Sequence, residues 1–99
     1  MAYKIEWSEN ALDDVYSIYD YLLKNWSVRV ADRFIDKCIY WIHIISLSPT
    51  IGRVSGKDSP IRRVLVSKQN ALYYKAEGET IYLLDFIDTR RDPANNPFE

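Results

Sequence analysis

Tyr3 to Trp7 (YKIEW) alternates apolar and polar positions, the period of a short strand covered on one face. Ser8 comes next, where its hydroxyl can accept a free backbone N–H of a first helical turn, and from there the period changes. Leu12, Val15, Tyr19, Leu22 and Trp26 recur in steps of three and four, with Glu9, Asp13, Ser17, Asp20 and Lys24 on the other side. That spacing predicts an amphipathic helix with the apolar stripe buried. Asn25-Trp26-Ser27 reads as a tight corner, with Ser27 capping a second helix that runs to about Leu47 and is stopped by Ser48-Pro49. On this helix Ala31, Phe34, Cys38, Trp41 and Ile45 form the stripe, and Ile35, Ile39 and Ile42 widen it. Two amphipathic helices joined by so short a corner are expected to form an antiparallel hairpin.

Ser48 to Pro60 holds two of the three glycines and two of the four prolines, which predicts a long loop. Loops of this length tend to be functional, and this one carries Arg53 and Lys57. Three strands are then expected at Ile61–Val66, Ala71–Ala76 and Thr80–Asp88, rich in β-branched and aromatic residues and separated by turns of hairpin length. The last of them (TIYLLDFID) is apolar at nearly every position and should lie centrally, covered on both faces or nearly so. The expected architecture is a single α+β domain over residues 1–99, in the order β-α-α-β-β-β. In it a helical hairpin packs on a small, mainly antiparallel sheet, which buries both apolar stripes.

Composition narrows the function classes. The chain has no long uninterrupted apolar run, and its first ten residues lack the basic-then-apolar order of a secretion signal, so a cytoplasmic protein outside the membrane is expected. Cys38 is the only cysteine, which leaves no internal disulfide and no cysteine-cluster metal site, and it reads as core. The net charge of −1 hides an asymmetry: residues 1–51 carry five Lys/Arg against seven Asp/Glu, and residues 52–91 carry eight against five. The basic half is the place for an anionic partner, yet the excess is small beside that of proteins that live on phosphate contacts. Eight tyrosines, three tryptophans and three phenylalanines are more than a domain this small can enclose, so some should line a groove for a partner.

Four local features share a pattern. The second helix ends in Leu47-Ser48-Pro49-Thr50-Ile51-Gly52, a leucine-x-proline-x-x-glycine corner. A strand with paired arginines follows, Arg62-Arg63-Val64-Leu65-Val66, and then a hydrophobic-x-tyrosine strand, Leu72-Tyr73-Tyr74. The last strand runs into Asp88-Thr89-Arg90-Arg91-Asp92-Pro93. In this order and spacing the chain resembles the RelE/ParE superfamily of small bacterial toxins, and is closer to its ParE-like branch. The resemblance implies the toxin of a type II toxin–antitoxin (plasmid stabilisation) system, causing growth arrest, with no cofactor and no metal. It also implies a small cognate antitoxin with a DNA-binding N-terminal half, and leaves a homodimer open. The antitoxin's C-terminal segment is expected to fold over the aromatic groove as a helix or an added strand.

Two activities are known in the superfamily. RelE-like members cut messenger RNA on the ribosome, which needs a group to activate the 2′-hydroxyl, a proton donor and cations beside the phosphate. The candidates for such a set are Arg63, Lys68, Tyr74, Lys75, Arg90 and Arg91. The arginine usual just before the hydrophobic-x-tyrosine strand is replaced by Ala71, however, and Ala94–Glu99 offers neither tyrosine nor histidine. His43, the single histidine, falls beside the apolar stripe of the second helix. ParE-like members block DNA gyrase by protein–protein contact, which needs no acid–base set. That reading is favoured, with Arg53, Arg62, Arg63, Arg90 and Arg91 as target-binding residues and the protein more readily a non-enzyme. A ribosome-dependent endoribonuclease of RelE type, and a non-toxic relic or binding module with the same fold, stay open. Each candidate also has a structural role available. Alternation sends Arg62 and Arg63 to opposite faces, and Tyr73 and Tyr74 likewise. Arg90 and Arg91 lie near Asp85, Asp88 and Asp92 and can be taken up in salt bridges.

Overall fold

The computed structural model describes residues 2–56 and 59–99, so Lys57 lies outside the described residues. Its elements are β1 (Lys4–Trp7), α1 (Glu9–Asn25), α2 (Val28–Leu47), a 3-10 turn at Pro49–Ile51, β2 (Arg53–Val54), β3 (Ile61–Ser67), β4 (Asn70–Glu77), β5 (Thr80–Asp88) and a second 3-10 turn at Pro93–Asn95. The strands form one sheet in the order β1-β5-β4-β3-β2. β2 to β5 pair antiparallel, whereas β1 runs parallel to β5, with Lys4 opposite Thr80 and Trp7 opposite Leu83. The helical hairpin over this sheet is the α+β architecture expected from the sequence. One addition is β2, inside the segment expected to be loop throughout: Arg53 and Val54 pair with Arg63 and Arg62 and extend the sheet at its edge.

Serine caps start both helices. The Ser8 hydroxyl accepts from the Ala11 N–H at 3.0 Å and donates to the Leu84 carbonyl at 2.7 Å, so one side chain starts α1 and fastens it to β5. Ser27 accepts from the Val30 N–H at 3.1 Å, two residues after α1 ends, and α2 turns back. Across the hairpin the Tyr19 hydroxyl donates to Asp32.

The buried face of α1 is rotated from the expected stripe. Ala11 is fully buried, and Val15, Ile18 and Leu22 pack against the core, whereas Leu12 is 42% and Trp26 68% exposed. The i, i+4, i+7, i+11 set that starts at Ala11 is as regular as the one read from Leu12. The smaller side chain faces the sheet because it lets the helix backbone approach. On α2, Ala31, Phe34, Cys38 and Ile45 are buried as expected, and Trp41, Ile35 and Ile42 pack beside them, but Ile39 is 62% exposed.

β5 reconciles its nearly continuous apolar run with the sheet through a bulge. The register steps from Tyr73 opposite Asp85 to Tyr74 opposite Leu83, so Leu84 is the extra residue. Leu83 and Phe86 can therefore both face the helices although they are three apart, which strict alternation forbids. The groups freed by the bulge are taken up by α1: Leu84 O by Ser8, and the Phe86 N–H by Asp14 Oδ2 at 2.9 Å. Among the described residues no helix is long and apolar enough to cross a membrane.

Candidate functional site

The paired residues of β3 and β4 divide between the two sheet faces. Val64, Val66, Leu72 and Tyr74 face the helices, while Ala71, Tyr73 and Ile87 form a second apolar cluster on the open face with Ile61 and Phe98. On the helix side Tyr74 is fully buried. Its hydroxyl donates to Pro49 O at 2.7 Å and accepts from the Gly52 N–H at 2.9 Å, which fixes the proline–glycine corner. Burial raises its pKa above the ordinary phenol value. Arg62 completes the corner, its Nη1 donating to Gly52 O at 2.8 Å and Thr50 O at 3.3 Å. A Cβ on Gly52 would stand 2.5 Å from the Tyr74 hydroxyl and 2.9 Å from Arg63 O, so this corner leaves room for no side chain.

The open face holds a pocket of about 260 Å³ lined by Arg53, Arg63 and Arg91 together with Ala71, Tyr73 and Ile87. Residues after the second 3-10 turn fold back across it. Phe98 stacks on Tyr73 with ring centroids 4.8 Å apart. The Tyr73 hydroxyl donates to Glu99 Oε1 at 2.9 Å and accepts from Asn96 Nδ2 at 3.1 Å. Glu99 Oε1 also lies 3.7 Å from Arg53 Nη2 and 3.9 Å from Arg63 Nε. Ser55 Oγ donates to the Phe98 carbonyl and holds the segment from β2's side.

The target-binding arginines expected from the sequence therefore separate. Arg53, Arg63 and Arg91 converge on the pocket. Arg62 points the other way into the corner. Arg90 grips its own neighbour, with Nε 3.0 Å from Asp88 Oδ1 and Nη2 2.7 Å from Oδ2, and this pair holds the Asp88 carboxyl down at about 2. Of the cleavage candidates, Arg63 and Arg91 reach the pocket, while Tyr74 is enclosed in the core. Lys68 sits in the β3–β4 turn, beside a groove it shares with Arg33 and Lys37 of α2. Lys75 pairs with Glu77 at 3.4 Å and lies over the Tyr82 ring. His43 is exposed on α2. Tyr73, Asn96 and Glu99 belong to the pocket and had no signal of their own. Adjacent tyrosines look alike, and nothing in Asn-Pro-Phe-Glu announces a return to the sheet. Ala71 helps line the pocket, where a longer side chain would fill it.

Beside the pocket, Asp14 and Asp85 face each other at the β5 bulge, in a recess also lined by Asn10, Asp88 and Arg91. Burial, the hydrogen bond to Asp14 and that neighbour's charge push the Asp85 carboxyl up to about 7, against the opposing Phe86 N–H and Arg91.

A helical hairpin on a mixed sheet is the fold of the RelE/ParE-type toxins. Solved structures with this fold include that titled "Chromosomal ParDE TA system from P. aeruginosa", similar at a TM-score of 0.72 with 15% identity, covering 88% of this chain and 96% of that one. The "YoeB/ParE toxin from Agrobacterium tumefaciens" superposes at a TM-score of 0.60 with 14% identity, over 86% of this chain and 96% of that one. "The structure of YoeB dimer from Staphylococcus aureus" does so at 0.63 with 12% identity, over 92% and 100%. No curated sequence matches the chain. Residues 5–93 match the family described as "ParE toxin of type II toxin-antitoxin system, parDE", and the chain belongs to that family.

Proposed function

We propose that this ParE-family toxin arrests growth in the cytoplasm by binding DNA gyrase, and that a cognate antitoxin neutralises it. The observation that carries the reading is the family match over residues 5–93. The placement of side chains supports it: four of the six cleavage candidates, Lys68, Tyr74, Lys75 and Arg90, stand outside the arginine pocket, and a protein–protein contact requires only complementary shape and charge. Tyr16, Tyr21 and Tyr40 on the helices and Trp26 at the corner between them, all more than half exposed, supply apolar surface that an amphipathic antitoxin segment can cover.

One observation favours the second reading, ribosome-dependent cleavage of messenger RNA. Tyr73 and three guanidinium groups share one pocket, and metal-free phosphodiester cleavage uses groups of these kinds. The purified protein is expected to inhibit supercoiling by gyrase in vitro, and Arg63→Ala to weaken that inhibition about tenfold, as loss of a contact worth roughly 1.4 kcal/mol does. Unimpaired supercoiling together with transcripts cut in the ribosomal A site replaces gyrase with the ribosome. Neither effect, from a folded protein whose expression without its antitoxin is harmless, establishes the non-toxic relic.

A further inference from the structure

The arginine pocket is already occupied by the chain itself. Glu99 places one carboxylate oxygen within reach of two guanidinium groups and a phenol hydroxyl, from Arg53, Arg63 and Tyr73. These are the partners an external oxyanion would need, and they come from three adjacent strands. The segment is held at several points along its length: Asn96 on the Tyr73 hydroxyl, the Phe98 ring on the Tyr73 ring, the Phe98 carbonyl on Ser55. Its hold on the arginines is nevertheless loose. Distances of 3.7 and 3.9 Å are longer than those of close bidentate pairs, and the Arg53 side chain is 65% exposed. Arg53 and Arg63 carry two positive charges against the one negative charge of the Glu99 side chain, so its neutralisation of them is incomplete; Arg91, on the same pocket, is shared with Asp85 and Asp88. A bound group that is well oriented, weakly tethered and incompletely neutralising has the properties of a displaceable competitor.

We propose that Asn96–Glu99 is a built-in cover for this pocket, and that the Glu99 carboxylate occupies the seat of an external oxyanion, which binds only as the segment lifts away. The inference holds whether the target is gyrase or the ribosome, because it concerns what the pocket binds and what blocks it. An oxyanion can reach this seat as a phosphate or as a carboxylate, and two small probes separate the sources.

The test is titration of the full chain with inorganic phosphate and with acetate, at constant ionic strength, followed by NMR shifts of Tyr73 and Phe98. Glu99→Gln keeps the shape of the cover and removes its charge. It is expected to bind at least one of the two anions about tenfold more tightly than the wild type, the gain that follows when the tethered carboxylate's effective concentration is roughly ten times its own dissociation constant for the seat. The anion that gains identifies the source. Adding Arg63→Gln should abolish the gain, and in the wild type the Tyr73–Phe98 contact should disappear in step with binding. Equal affinities of wild type and Glu99→Gln for both anions overturn the proposal, provided thermal unfolding shows both proteins folded. So does binding that leaves the Tyr73–Phe98 contact in place.

Discussion

Tyr74→Phe tests the assignment of the two neighbouring tyrosines most directly. The substitution leaves the ring in the core and removes only the hydroxyl, which accepts from Gly52 N–H at 2.9 Å and donates to Pro49 O at 2.7 Å. Gly52 is itself buried, so its N–H gains no water when the oxygen is lost. An ordinary hydrogen bond contributes about 1 kcal/mol net, and a buried donor left unpaired costs about 1–3 kcal/mol. The expected loss is therefore about 2–3 kcal/mol. At roughly 4–8 °C per kcal/mol for a domain of this size, the Tm should fall on the order of 10–20 °C. Urea unfolding followed by circular dichroism measures it, with an unchanged m-value showing that only the folded state's interactions were altered. Tyr73→Phe is the matched control. Its ring is as fully buried, but the partners of its hydroxyl, Glu99 and Asn96, are partly exposed and can turn to water when it is lost, so it should cost less than about 1 kcal/mol. A Tyr74→Phe protein within about 0.5 kcal/mol of wild type, or a Tyr73→Phe protein that loses as much, refutes the description of the corner.

Three further outcomes are expected. Gly52→Ala should cost about 1–3 kcal/mol by steric overlap alone, since its φ of −73° suits any residue. Because the added methyl meets the Tyr74 hydroxyl, the double variant Gly52→Ala/Tyr74→Phe should lose less than the sum of the two, and strict additivity in denaturant melts would contradict the geometry. Asp85 has a folded pKa of about 7, above the ordinary 3.8, so the folded state binds the extra proton and the stability from this pair declines as pH rises from about 4 through 7. Asp85→Asn should raise the Tm at pH 8 and flatten that decline, whereas parallel Tm profiles of variant and wild type between pH 5 and 8 would sink the assignment. Cys38 is 3% exposed and burial pushes its thiol up to about 12, so the native protein should resist alkylation at pH 8 and react only on unfolding; labelling of the native protein within seconds would show that the core is open.

What the sequence determined by itself was local or periodic. Ser8 and Ser27 mark the helix starts because the cap is a bond to the third residue on, and Ser48-Pro49 marks the end because proline cannot continue a helix. The β3–β4–β5 meander was legible for the same reason, as short strands and short turns leave one way to connect. The leucine-x-proline-x-x-glycine corner and the paired arginines also carried the family resemblance, which the comparison with known proteins bears out. The tertiary structure decided everything that turns on which side of an element meets which neighbour. Periodicity allowed α1 two stripes, and close approach to the sheet selected the one through Ala11. Alternation said that Arg62 and Arg63, and Tyr73 and Tyr74, part company, but only packing under the helices sent Arg62 and Tyr74 to the corner and left Arg63 and Tyr73 on the open face. The bulge at Leu84, the edge strand β2 and the return of Glu99 to the arginines depend on partners between about 10 and 75 residues away along the chain. A short-range pattern contains no trace of such pairings, because their free energy exists only once the sheet has brought the partners together.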